Sequence, residues 1–161
     1  MARKDHWLPL LVEVFNSGCE QSQFIVDLRA DRATIETGQE LCLTLWPFIS
    51  RLPANIKTVR ANLPESMDYA RKFLDQLSDD EGYYQGLYKQ QCYLAGVDDR
   101  LLKSVKPGPA TTNLCDHIET FCTSEDFREG VLAIVTAELA ATVFARHSLK
   151  FFESFFEIMV V

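Results

Sequence analysis

Histidine is scarce in this 161-residue chain, and His6, His117 and His147 stand too far apart for any two to sit three or four residues from each other. That spacing is what converges two imidazoles from one helix face on a metal, so a zinc site finds no support. The five cysteines, Cys19, Cys42, Cys92, Cys115 and Cys122, are odd in number and form no C-x-x-C pair. Reduced and mostly buried thiols in a cytoplasmic protein are the expectation. No nucleophile elbow, phosphate-binding loop or dinucleotide fingerprint occurs, and no serine or cysteine is paired with a histidine in a recognisable way. Long apolar runs are missing too: Val131 to Ala145 is the most apolar stretch, and it is too short for a membrane span and contains Glu138. The start of the chain, with Asp5, His6 and Pro9 among its leucines, shows no secretion signal. Basic residues are outnumbered, 16 against 23 acidic, which leaves a formal charge of −7. The resulting field repels phosphate backbones, and no stripe of Lys or Arg interleaved with aromatics offsets it, so neither nucleic acid nor a membrane is an expected partner.

What is present is ordinary globular material, 47% hydrophobic and 24% charged, enough for one domain over residues 1–161. Strict alternation of polar and apolar residues is absent, whereas three-to-four-residue spacing recurs throughout and predicts an all-α bundle. A first helix is expected from about Asp5 to Asn16, ended by Gly18, and a short second one near Gln23 to Leu28. Asp31 or Thr34 then caps a long helix that Pro47 bends, Pro53 bends or restarts, and Leu63-Pro64 stops. The pattern resumes at Glu65, breaks at Ser78-Asp79-Asp80, and returns from Glu81 to Ala95 with Gly96 as the stop. Asp98 to Leu102 makes a short turn, and Lys106-Pro107-Gly108-Pro109 is the clearest loop. Thr111 or Thr112 caps a helix through Ile118, and Ser124 opens the next, which runs past Val135, Glu138 and Thr142 toward His147. Leu149 to Val161, with Phe151, Phe152, Phe155 and Phe156, fits either a helix or a coil.

Glu138 is the most informative polar residue, because Ile134 and Val135 one turn earlier put it on an apolar stripe. A carboxylate there needs a partner, a metal or a proton. A salt bridge and metal ligation both remain open. Glu81 and Tyr88 are two helical turns apart and share a face with Tyr84 and Gln91. The bland alternative is that Glu81 favours a helix N-terminus while Tyr88 packs its ring. Val135 and Thr142 accompany Glu138 as candidate pocket residues. Glu153 and Glu157 read as the solvated side of an amphipathic end. The chain stops at Ile158-Met159-Val160-Val161, an apolar end that points either to a homo-oligomer, such as a dimer, or to a shortened protein.

Several segments, taken in order, resemble the heme oxygenase-like helical fold. They are His6-Trp7-Leu8-Pro9; Leu45-Trp46-Pro47-Phe48 leading to Arg60-Ala61-Asn62-Leu63-Pro64; Asp79-Asp80-Glu81-Gly82 leading to Ala95-Gly96-Val97; and Pro107-Gly108-Pro109-Ala110-Thr111 before the Glu138 helix. The likeness is to the branch holding the TenA/THI-4 thiaminases, the PQQ-synthesis protein C and the iron-containing oxidases related to the chlamydial death-domain-associating protein. That resemblance implies a heme oxygenase-like bundle, here lacking its final helix. In the iron-containing branch a glutamate and a histidine seven positions on, a second glutamate, and a last helix rich in histidine hold two metals that activate dioxygen. Carried over, Glu81 and Glu138 match the two glutamates as metal ligands, and Tyr88 stands at the histidine position as the candidate catalytic residue. The histidine-rich closing helix has no counterpart. The thiaminase branch uses a cysteine nucleophile beside a pyrimidine pocket, and none of the five cysteines is assigned to that role. The resemblance therefore implies either a degenerate or shortened member that binds a small molecule or a protein, or a non-heme iron-dependent oxidoreductase acting on a small organic metabolite with dioxygen. Iron is the one cofactor it suggests.

Overall fold

A computed structural model describes residues 7–30, 32 and 34–160, with side chains described as far as Ser148. His6, Asp31, the four phenylalanines and two glutamates of the C-terminal stretch, and the apolar end with its expected oligomer contact lie outside the described side chains. Every regular element among the described residues is an α-helix: α1 (Trp7–Gln21), α2 (Gln23–Arg29), α3 (Ile35–Asn62), α4 (Asp68–Leu94), α5 (Asp99–Ser104), α6 (Pro109–Cys122) and α7 (Phe127–Val160). The expectation of an all-α chain holds. The chain divides into two compact units, one of residues 35–134 and one of residues 1–34 with 135–161.

In the unit of residues 35–134, α3 is the central element and packs against α4, α5 and α6. Its buried side chains Leu41, Cys42, Leu52, Ile56 and Val59 recur at helical spacing and meet Leu74, Cys92, Leu102, Cys115, Ile118 and Cys122 from those helices. The break expected at Ser78-Asp79-Asp80 does not occur, and of the two alternatives at Pro53 the restart does not. α3 runs unbroken through Pro47 and Pro53, and α4 runs unbroken through Ser78-Asp79-Asp80. The two findings share a cause. A proline removes a helix donor and crowds the turn before it, which leaves carbonyls in need of partners. Ser50 Oγ donates to the Pro47 carbonyl at 3.2 Å, Gln85 Nε2 to the Ser50 carbonyl at 3.1 Å, and Ser78 Oγ to the Pro53 carbonyl at 3.3 Å. Ser78 is thus a buried contact of α4 with α3 rather than a helix breaker.

The stop at Gly96 is as expected. With φ at +79° it is the one described glycine in the left-handed region. The Gly96 N–H bonds the Tyr93 carbonyl at 2.9 Å and the Val97 N–H bonds the Cys92 carbonyl at 2.8 Å, the paired bonds of a Schellman ending. Asp98 caps α5 through Leu101 N–H at 2.8 Å. α6 starts earlier than expected, at Pro109 with Gly108 as its cap, so Thr111 and Thr112 lie inside its first turn. Proline suits that place because its missing N–H would have no intrahelical partner there.

In the other unit, α1 passes straight through Gly18, contrary to the expected stop, and places no residue in the core. A glycine lowers helix propensity without forcing an end, and Gly18 has no steric or left-handed demand that would end it. Ile25 and Leu28 of α2 and Ala137 and Val143 of α7 are buried, and the rings of Phe24 and Phe144 stack with centroids 6.2 Å apart. α7 continues beyond His147 to Val160, so the C-terminal stretch resolves as helix rather than coil. His147 joins three helices: Arg29 donates to its Nδ1 at 2.7 Å, and its Nε2 lies 2.9 Å from Asn16 Oδ1. Arginine can only donate, so the ring proton sits on Nε2 and goes to Asn16.

Candidate functional site

The α3–α4 seam is where the chemistry-bearing side chains of the larger unit gather. The two helices run antiparallel, and a ladder of contacts fixes their register. Gln39 Nε2 donates to the Ala95 carbonyl at 2.7 Å, Lys89 Nζ sits 5.3 Å from the centre of the Trp46 ring, Gln85 reaches Ser50, Ser78 reaches Pro53, and Arg60 grips Asp75 at 2.9 and 3.0 Å. Tyr88, next to Lys89, reaches α3 between Gln39 and Trp46, where its hydroxyl donates to the Cys42 carbonyl at 3.2 Å and less closely to that of Leu41 at 3.4 Å. One turn further along α4, Cys92 is 0% exposed, and Cys42 on α3 is 5% exposed.

Tyr88 and the two buried thiols stand at one level of the seam. The neighbouring Cys92 thiol holds Cys42 below the usual thiol range against the opposing effect of burial, and Tyr88 acts in the same sense. Cys92 is driven far above that range, first by the neighbouring Cys42 and then by burial and the charge Cys42 would carry. Burial, then the neighbouring thiols, pushes the Tyr88 phenol well above its ordinary value. At neutral pH the phenol is therefore a neutral donor whose proton is engaged.

Glu81, two turns before Tyr88, is half-buried, and burial followed by the Asp80 charge raises its carboxyl. Of the other candidates on α4, Gln91 is half-buried and Tyr84 is 57% exposed, so Tyr84 presents most of its ring to solvent. Val135, Glu138 and Thr142 belong to the other unit: Val135 is 39% exposed, Glu138 is half-buried, and the Thr142 hydroxyl donates back to the Glu138 carbonyl at 2.9 Å. The candidate residues thus fall into an α4 set and an α7 set.

The donor set suits iron poorly. Strong binding by Tyr88 requires a phenolate, and burial opposes its formation while the hydroxyl is engaged by α3. Among the described residues no group of three or more His, Cys, Asp or Glu side chains is placed to hold a metal ion. Reading from sequence gave no part in this seam to Gln39, Cys42, Ser78 or Cys92. The available signal was Cys92 itself, which follows Tyr88 by four residues and so shares its face.

The all-α architecture is consistent with the heme oxygenase-like class of helical folds. Within that class, residues 50–155 match the model of the TENA/THI-4/PQQC family, and the chain belongs to this family. No curated protein and no solved structure is significantly similar to it. Among the described residues no helix is long and apolar enough to cross a membrane.

Proposed function

We propose that this member of the family binds a small organic ligand and does not operate an iron centre of the oxidase kind. The observation that carries this reading is Tyr88. It stands where the iron-containing branch resembled by the sequence has a histidine, and it spends its hydroxyl on the Cys42 and Leu41 carbonyls as a neutral, buried phenol. Such a residue orients and stiffens a helix seam; it does not offer an electron pair to a metal. On the same face Glu81 favours its protonated form more than an exposed glutamate does, and a protonated carboxyl can donate to an uncharged acceptor as well as accept. Glu81, with Tyr84 and Gln91 on the neighbouring strip of α4, is the set proposed to meet a neutral heteroaromatic molecule.

The thiaminase branch, with its pyrimidine pocket, supplies the first compounds to try. The experiment has two parts. Metal analysis of protein purified after iron-replete growth is expected to give iron far below one ion per chain. Thermal-shift titration with a panel of pyrimidines is expected to raise the melting temperature saturably in the native chain and much less in Glu81→Gln. Iron retained at near one ion per chain after a chelator wash would overturn the proposal in favour of an oxidoreductase acting on a small metabolite with dioxygen.

A further inference from the structure

The register of α3 against α4 brings two buried thiols to one level of the seam. Cys42 follows Gln39 by three residues and Cys92 precedes Ala95 by three, and Gln39 is bonded to Ala95 across the seam. On the other side Cys42 precedes Trp46 by four residues and Cys92 follows Lys89 by three, and Lys89 covers the Trp46 ring. Two fixed rungs thus bracket the pair, and Tyr88, one turn from Cys92, closes on the Cys42 backbone. A disulfide demands that two Cβ atoms face each other at short range. Both cysteines occur as free thiols. The remaining thiols provide contrast: Cys115 and Cys122 lie two turns apart on α6, about 10 Å along one axis, and a helix cannot bring such positions together.

We propose that Cys42 and Cys92 are a redox-active dithiol, oxidised by a small hydroperoxide to a disulfide that ties α3 to α4. The Cys42 thiol gives up its proton and its sulfur attacks one oxygen of the peroxide; the O–O bond breaks, Cys42 becomes a sulfenic acid, and the other oxygen takes that proton and leaves as an alcohol or, from hydrogen peroxide, as water. The Cys92 sulfur then attacks the Cys42 sulfur, the S–OH bond breaks, and water departs with the Cys92 proton. Two thiols lose two electrons, and the peroxide O–O bond takes them. The assignment of roles follows from access: Cys42 is the less completely covered of the two, at 5% exposure against 0%, so it meets the peroxide first and Cys92 resolves it. This inference is independent of the ligand proposed above.

The test uses the unaltered chain. Folded protein is treated with hydrogen peroxide, quenched, alkylated under denaturing conditions, and mapped by mass spectrometry. The expected result is a fall from five alkylatable thiols to three, a single cross-linked peptide pair joining Cys42 to Cys92, and full recovery of five with a dithiol reductant. Cys42→Ser is expected to lose the cross-link and leave Cys92 unmodified, while Cys92→Ser accumulates a sulfenic or sulfinic form of Cys42. The mapping on the native chain stands even where a serine variant does not fold. Peroxide that oxidises Cys19 or Cys115 while Cys42 and Cys92 remain alkylatable overturns the proposal. So does a Cys42–Cys92 cross-link that forms only in denaturant.

Discussion

The two units of this protein are held together by different means. Residues 35–134 are built around α3, with Ile56 and Val59 fully enclosed and polar side chains of α4 bonded to α3 carbonyls along most of the seam. In the unit of residues 1–34 and 135–161, α1 contributes no buried residue, and much of the cohesion is polar, with Arg29, His147 and Asn16 in a chain of hydrogen bonds. α3 is held by excluded volume and satisfied carbonyls, whereas α1 is held by directional contacts such as that of Asn16 with His147. Substitutions should therefore have large effects on α3 and modest effects on α1.

The largest expected difference tests that directly. Ile56→Ala removes a side chain with 0% exposure from the centre of α3 and should lower unfolding free energy by about 2–5 kcal/mol, through lost burial and the cavity left behind. Leu10→Ala, on the exposed side of α1, should stay within about 0.5 kcal/mol. Urea denaturation of both variants checks this, and equal losses would erase the distinction between the units. Next in size is Gly130→Ala. A Cβ at Gly130 would lie 2.8 Å from Val59 Cγ2 and 3.4 Å from Val59 Cγ1, so the enclosed valine has no easy escape. Overpacking of this kind costs about 1–3 kcal/mol, against a helix-propensity gain of about 1 kcal/mol for alanine over glycine. A net loss of roughly 1 kcal/mol is expected by the same measurement.

How much of this was legible in the sequence varies with the kind of signal. The helices were, because apolar spacing near 3.6 residues survives in every long segment, and the Gly96 stop was, because its left-handed backbone has a residue-type signature. The continuity of α4 through Ser78 was not, and whether α3 restarts at Pro53 was left open. Both depend on hydrogen bonds between residues 25 to 35 positions apart, which no local pattern carries. Tyr88 was picked out by its distance from Glu81, yet what it does is set by Cys42 and Leu41 on another helix. Glu138 was picked out by its apolar neighbours, and the half-buried place it takes fits an amphipathic helix edge as well as a site. The thiol pair was invisible because Cys42 and Cys92 meet only once the antiparallel register is known.

Alkaline titration separates the enclosed polar groups from the exposed ones. Burial raises Cys122 to about 11, and Cys92 and Tyr88 are raised as well. A folded-state value above the unfolded one means the folded chain holds its proton more tightly. The stability this reflects is fully present below the unfolded thiol value near 9.0 and is lost as pH rises through the folded values. Unfolding free energy should therefore fall between pH 9 and 11. In Cys122→Ala the fall should be shallower by up to about 1.4 kcal/mol per pH unit, the contribution of one group. A slope unchanged by that substitution would remove Cys122 from the account. Tyr88→Phe, measured at neutral pH, should cost about 1 kcal/mol for the hydrogen bond it deletes.

The smallest effects come from glycines that meet nothing. A Cβ at Gly82 or Gly86 on α4, or at Gly18 on α1, would have no atom within 4 Å, and none of the three needs a left-handed backbone. Alanine at each should favour the helix by at most about 1 kcal/mol. The gain is transmitted differently. α4 melts with the enclosed core, so Gly82→Ala and Gly86→Ala should raise the global urea midpoint. α1 buries nothing of its own and can open ahead of the core, so Gly18→Ala should slow local amide exchange in α1 while leaving the global midpoint nearly unmoved. If Gly18→Ala shifts that midpoint as far as Gly82→Ala does, α1 unfolds with the core and the two units form one cooperative whole.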